Sequence, residues 1–131
     1  MIYMLQQENR LRRKRDIEIT FEEGRFIPGR LLNLKVWKID TVKYAKRGYT
    51  GNEIKLAFVV GVKIEKRAVG RNRLKRQMRE VARLLLKEEK IEKGFFILVM
   101  AKKEMLGSEY AAIEQDFFST LVRSRVLKKV L

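Results

Sequence analysis

Between residues 69 and 90 the apolar side chains Leu74, Met78, Val81 and Leu85 recur at spacings of four, three and four, the period of an α-helix with one buried stripe. Turning about 100° per residue away from that stripe gathers Asn72, Lys75, Arg76, Arg79 and Arg83 on the opposite side, with Arg71 and Arg73 flanking them. One side of the helix therefore needs an apolar layer against it, and the other is left to solvent or to a partner. Exposed helix faces normally mix signs so that neighbours four apart can pair, yet Glu80 is the only acid between residues 71 and 83. A row of guanidinium forks so poorly countered matches a phosphate-rich ligand in charge and in shape. Lys63, Lys66 and Arg67 extend the row ahead of the helix. The free N–H groups and dipole at the helix start favour a phosphate near Gly70 and Arg71.

The whole chain repeats this imbalance. Its 131 residues hold 31 Lys and Arg against 16 Asp and Glu, a net charge of +15, and such a field opposes compaction until a polyanion neutralises it. Hydrophobic residues still make up 46%, enough for one core, and the length fits a single domain over residues 1–131. The sequence has no Cys and no His, which removes thiol nucleophiles, disulfides, ordinary zinc sites and imidazole acid/base chemistry. Adjacent acids such as Glu22 and Glu23, or Glu88 and Glu89, point about 100° apart on a helix and read as solvated surface rather than as metal ligands. Residues 24–31 have the glycine spacing of a phosphate-binding loop, but Arg30 and Leu31 stand where a lysine and a hydroxyl are needed. The longest apolar run, residues 95–101, is too short to span a bilayer, and the basic opening residues lack a signal-peptide core. A cytoplasmic protein without membrane contact is expected.

Periodicity orders the rest. A first helix is expected over residues 9–23, with Leu11, Ile17 and Phe21 as its buried positions and Gly24 as its stop. Residues 30–40 alternate: Leu32, Leu34 and Val36 face one way, and Asn33, Lys35 and Trp37 the other. A polar connection through Gly48 and Gly51 is expected to return the chain as an antiparallel hairpin into a second strand, residues 54–63. The continuous apolarity of residues 95–101 predicts a central strand covered on both faces. A last helix, capped by Ser108, presents Tyr110, Ile113, Phe117 and Leu121 on one side. The predicted fold class is α+β in the order α-β-β-α-β-α. The mixed strand faces, with Lys35, Trp37 and Lys55, leave a shallow cleft beside Phe21 where unpaired bases can stack.

The run Arg71-Asn72-Arg73-Leu74-Lys75-Arg76-Gln77-Met78-Arg79-Glu80, preceded by Ala68-Val69, resembles the signature of the bacterial ribonuclease P protein component. Leu11, Arg12, Asp16, Phe21 and Gly24 are similar to that family's opening pattern. The resemblance covers nearly the whole chain. It implies a ribosomal-protein-like sandwich with a mixed sheet and a left-handed β-α-β crossover, against the usual rule. It also implies the small subunit of a ribonucleoprotein that removes the 5′ leader from precursor tRNA. The RNA subunit and its Mg²⁺ carry out the hydrolysis, and no obligate protein partner is implied. The RNA-facing positions it carries over are Arg71, Asn72, Arg73, Lys75, Arg76 and Arg79, to which the charge reading adds Lys63, Lys66, Arg67 and Arg83. The leader-holding positions are Ile17, Phe21, Lys35 and Trp37, with Arg13 and Lys55 alongside. Ile17 stands where the family commonly has an aromatic and Lys35 where it often has a tyrosine. Leader contact is therefore expected to rest on charge and on Phe21 or Trp37. An RNA binder of ribosomal-protein type is the alternative class.

Overall fold

In the computed structural model, which describes residues 5–128, the apolar stripe of the basic helix lies against a sheet. Helix α2 (Ala68–Lys87) buries Leu74, Met78, Val81, Ala82 and Leu85. The last helix, α3 (Tyr110–Ser124), adds Ile113, Phe117 and Leu121 to the same core. The sheet consists of β1 (Arg25–Ile27), β2 (Leu32–Lys38), β3 (Ile54–Val59) and β4 (Phe95–Ala101), in the spatial order β1-β2-β4-β3. Strand β4 is central, with Phe96 to Val99 all buried, as its unbroken apolarity requires. The opposite face of the sheet is partly covered by α1 (Lys14–Glu23), through a second cluster that includes Leu11, Ile19, Trp37, Phe96 and Leu98. The architecture is α+β with a mixed sheet.

The expected hairpin does not form. Strand β4 enters between the two strands that were to pair, so Leu34 of β2 and Phe58 of β3 both oppose Val99, the first antiparallel and the second parallel. A strand apolar on both sides finds full cover and two bonded edges only at the centre, and it displaces the half-polar strands outward. Strand β1 has no counterpart in the sequence reading, because three residues are too few to show alternation. It pairs with β2 through Arg25 with Val36, Phe26 with Lys35, and Ile27 with Leu34. The first helix starts at Lys14 rather than at residue 9. Ahead of it, Gln7–Asn9 form a 3₁₀ turn and Arg10 bridges to Leu56, because the outer edge of β3 offers the carbonyl of Leu56 to the Leu11 N–H at 2.9 Å. The buried positions of α1 are Asp16, Ile19 and Thr20, so Phe21 is not core. Ser108 does not cap α3; its hydroxyl donates to the Glu104 carbonyl.

Two acids tie distant segments together. The Asp116 carboxylate on α3 accepts the backbone N–H groups of Arg30 at 3.0 Å, Leu31 at 2.8 Å and Leu32 at 3.2 Å. The backbone N–H groups of residues 30–32 form a small anion cradle, and it is filled from within. Gly29 permits the approach, since a Cβ there would lie 2.8 Å from the Asp116 carboxylate and 2.2 Å from the Leu32 carbonyl oxygen. On α1, the buried Asp16 accepts Arg47 Nη2 and the Tyr49 hydroxyl, each at 2.6 Å. At the other end of α1, Lys43 and Tyr44 both donate to Glu23. The connection over residues 39–53 is therefore a strap that grips α1 at both ends.

Replacing Asp116 by Ala strands three backbone donors, each costing about 1 kcal/mol or more. D116A is expected to lose at least about 3 kcal/mol in urea unfolding. Burial, then the bond to Asp16, raise the Tyr49 hydroxyl above the ordinary phenol value of 10.0. The folded state then holds that proton more tightly than the unfolded chain, so this stabilisation is complete below pH 10.0 and disappears as pH rises through the folded value. Y49F should be less stable than the parent at neutral pH and lose less stability on alkaline titration.

Candidate nucleic-acid interface

The outer side of α2 faces solvent because its inner side is the core. Asn72, Arg73 and Arg76 are exposed, and Lys75 and Arg79 are half-buried at the margin. Lys63, Lys66 and Arg67, on the approach to the helix, are also exposed. The two ends of the row are committed internally. Arg71 Nη1 donates to the carbonyls of Glu65 at 3.1 Å and Lys66 at 2.7 Å. Arg83 forks onto Glu80, with bonds of 3.0 and 2.7 Å, and that guanidinium holds the Glu80 carboxyl below the usual carboxylate range. Among the described residues, Arg73, Lys75 and Arg79 meet no carboxylate.

The phosphate position expected near Gly70 and Arg71 is taken by the chain's own acid. Glu65 Oε1 accepts the backbone N–H and the Nε of Arg67, both at 3.1 Å. Those bonds, the backbone one foremost, lower its pKa. A Cβ on Gly70 would lie 2.6 Å from the Glu65 side chain, so only glycine admits this arrangement. An internal anion thus stands at the helix start, bonded to the Arg67 N–H.

Beside α2 runs a groove of about 440 Å³, lined by Arg10, Ile17, Ala57, Val59, Lys75 and Arg79. The Arg79 guanidinium lies 5.9 Å from the centre of the Phe58 ring. Its pKa is lowered, by partial burial first and then by the like charges of Arg10 and Arg76. An arginine nevertheless stays charged at neutral pH, so cations crowd together here with an apolar wall next to them. A second hollow of about 760 Å³ brings Arg13 and Lys55 together with Arg10 and Arg12. Lys55 also pairs with Glu53 at 3.5 Å.

Across the sheet face Phe21 is 56% exposed on the last turn of α1, and Ile17, one turn earlier, is half-buried. Lys35 Nζ sits 5.4 Å from the Phe21 ring centre and 5.8 Å from that of Phe26, close enough for cation–π attraction to both. Phe26, 51% exposed, was not singled out by the sequence, because β1 itself was invisible there. Trp37 does not join this surface. It is 5% exposed, edge-on to Tyr44 and Tyr49 and tilted against Phe96. Both tyrosines come from the strap, which closes over a position that strand alternation alone leaves open. The structure thus brings Ile17, Phe21 and Lys35 together, sets Arg13 and Lys55 in the neighbouring hollow, and removes Trp37 to the core.

Comparison with known proteins follows the same geometry. The family model described as Ribonuclease P matches residues 5–125. The chain belongs to the ribonuclease P protein component family. The protein component from Pseudanabaena is 32% identical over 124 residues, covering 95% of this chain and 97% of that one. That from Symbiobacterium thermophilum is 26% identical over 120 residues, with 92% and 94% covered. The RNase P protein of Thermotoga maritima superposes with a TM-score of 0.69 at 28% identity, over 88% of this chain and 96% of the other. The Staphylococcus aureus RNase P protein shares the fold, with a TM-score of 0.72 at 18% identity over 91% and 97% of the two chains. Among the described residues of this family member, no three Asp, Glu, His or Cys side chains gather into a cation site. No described helix is long and apolar enough to cross a membrane.

The two aromatics separate by experiment. W37A should cost about 3–5 kcal/mol in denaturant unfolding, as removal of a large buried ring does. F21A, at an exposed position, should stay within about 0.5 kcal/mol of the parent.

Proposed function

We propose that this chain is the protein subunit of the ribonuclease P ribonucleoprotein and that it acts in removing the 5′ leader from precursor tRNA. Family membership supports the role. The observation that carries the division of labour is the outer face of α2, where Arg73, Lys75 and Arg79 have no acid against them among the described residues. In this reading Asn72, Arg73, Lys75, Arg76 and Arg79, with Lys63, Lys66 and Arg67, lie against the phosphates of the catalytic RNA. Arg71 and Arg83 shape the surface through their internal bonds. The single-stranded leader lies beside α1, with bases on Ile17 and Phe21 and phosphates near Lys35, Arg13 and Lys55. Stacking on apolar side chains combined with cationic tracking is how unpaired strands are commonly held.

The chain supplies affinity and position. It has neither His nor Cys, and no three acidic side chains gather among its described residues. In this reading Mg²⁺ would be held by the RNA and the substrate and would supply activation of the hydrolytic water.

Reconstitution with a ribonuclease P RNA tests the role. At low Mg²⁺ the chain should accelerate cleavage of precursor tRNA, and no acceleration would defeat the assignment. Binding should weaken steeply with salt. R73A should weaken it by about 1 kcal/mol and flatten the log–log salt slope by about 0.7 to 0.9. E80A should act in the opposite direction, releasing Arg83 for a phosphate and steepening the slope by up to about the same amount.

A further inference from the structure

The sheet carries a second exposed ring, on a strand that neither the sequence pattern nor the proposed role includes. Strand β1 is the edge of the sheet, and it is firmly placed. It pairs with β2 at three positions, and Arg25 Nη2 donates to the Ser124 carbonyl at 2.7 Å. Ile27 turns into the core, whereas Phe26 belongs to neither buried cluster. Its ring shares the Lys35 ammonium with Phe21. On the same sheet face, Asn33 and Val59 both oppose Met100 in one row across β2, β4 and β3. Asn33 and Met100 are half-buried and Val59 is exposed.

We infer that Phe26 is an additional base-stacking platform, extending the leader path across the whole sheet to its β1 edge. This rests on the reading of the sheet face beside α1 as the leader site. From β3 to β1 the path spans three strand intervals, roughly 14 Å. That is room for about four nucleotides at stacked spacing. Ile17 and Val59 stand at the β3 end, with Arg10, Lys75 and Arg79 close by. Phe21, Lys35 and Phe26 form the β1 end. An aromatic ring beside an ammonium offers a base a stacking face and its phosphate a counter-charge. Two such rings about one ammonium accept two different nucleotides rather than one. Neither ring is needed for the core, so the apolar area that the chain leaves in water at this edge is accounted for by a ligand.

The test is an abasic scan. Precursor tRNAs carrying a single abasic nucleotide at successive leader positions are bound to the reconstituted holoenzyme. The parent should show penalties of about fivefold or more in Kd at several positions. F26A should abolish the penalty at one position and F21A at a different one. F26Y should restore the parental profile, and F26L, which keeps apolar bulk without a ring, should not. Unchanged parental penalties in F26A, or full function in F26L, would overturn the inference and leave the leader site in place. A parental enzyme without a penalty at any position would overturn the leader reading, and this inference with it.

Discussion

A strand that is apolar on both sides has to be covered on both sides, and β4 is that strand. Its position at the centre of the sheet forces α2 and α3 onto one face and α1 onto the other. The fold thereby acquires two surfaces with different chemistry. Behind the sheet, α2 turns its basic side outward because its apolar side is held by Leu34, Val36, Ile97 and their neighbours. In front, α1 covers Leu98 and Phe96 but leaves the region around Phe21, Phe26 and Lys35 open. An outward basic helix face and an open sheet face arise from one packing requirement.

The acids are scarce, and several of them occupy places where an external anion would otherwise settle. Asp116 fills the backbone cradle before β2, Glu65 fills the start of α2, and Glu80 neutralises Arg83. Each of these removes one possible phosphate site. Among the described residues, Arg73, Lys75 and Arg79 are left without a carboxylate against them. Specificity in so basic a protein depends on which cations are silenced as much as on which are present. A field of uniform positive charge binds nucleic acid anywhere.

Much of this was legible in the residues. The spacing of Leu74, Met78, Val81 and Leu85 placed α2 and its outward arginines, and the run from Phe95 to Ala101 announced the central strand. Neighbourhood relations set by long-range packing were not legible. Nothing local to β2 and β3 says that β4 will separate them. Strand alternation puts Trp37 beside Lys35, as the sequence reading has it, yet Tyr44 and Tyr49 return from the strap and enclose the indole. Phe26 was missed for the reverse reason, because a three-residue edge strand carries too little pattern to be seen. The phosphate expected near Gly70 and Arg71 meets Glu65, five residues ahead of Gly70, whose side chain already lies there.

The strap over residues 39–53 has a reach beyond its own residues. Its cations and hydroxyls hold Asp16 at the start of α1 and Glu23 at its end, so the tilt of that helix over the sheet is set by a connection that does not itself line the groove. Ile17 and Phe21 ride on the same helix. Lengthening or shortening the strap would change the groove's width without altering a single lining side chain. A transplanted basic helix and first helix would not carry the recognition surface with them unless this tether came too.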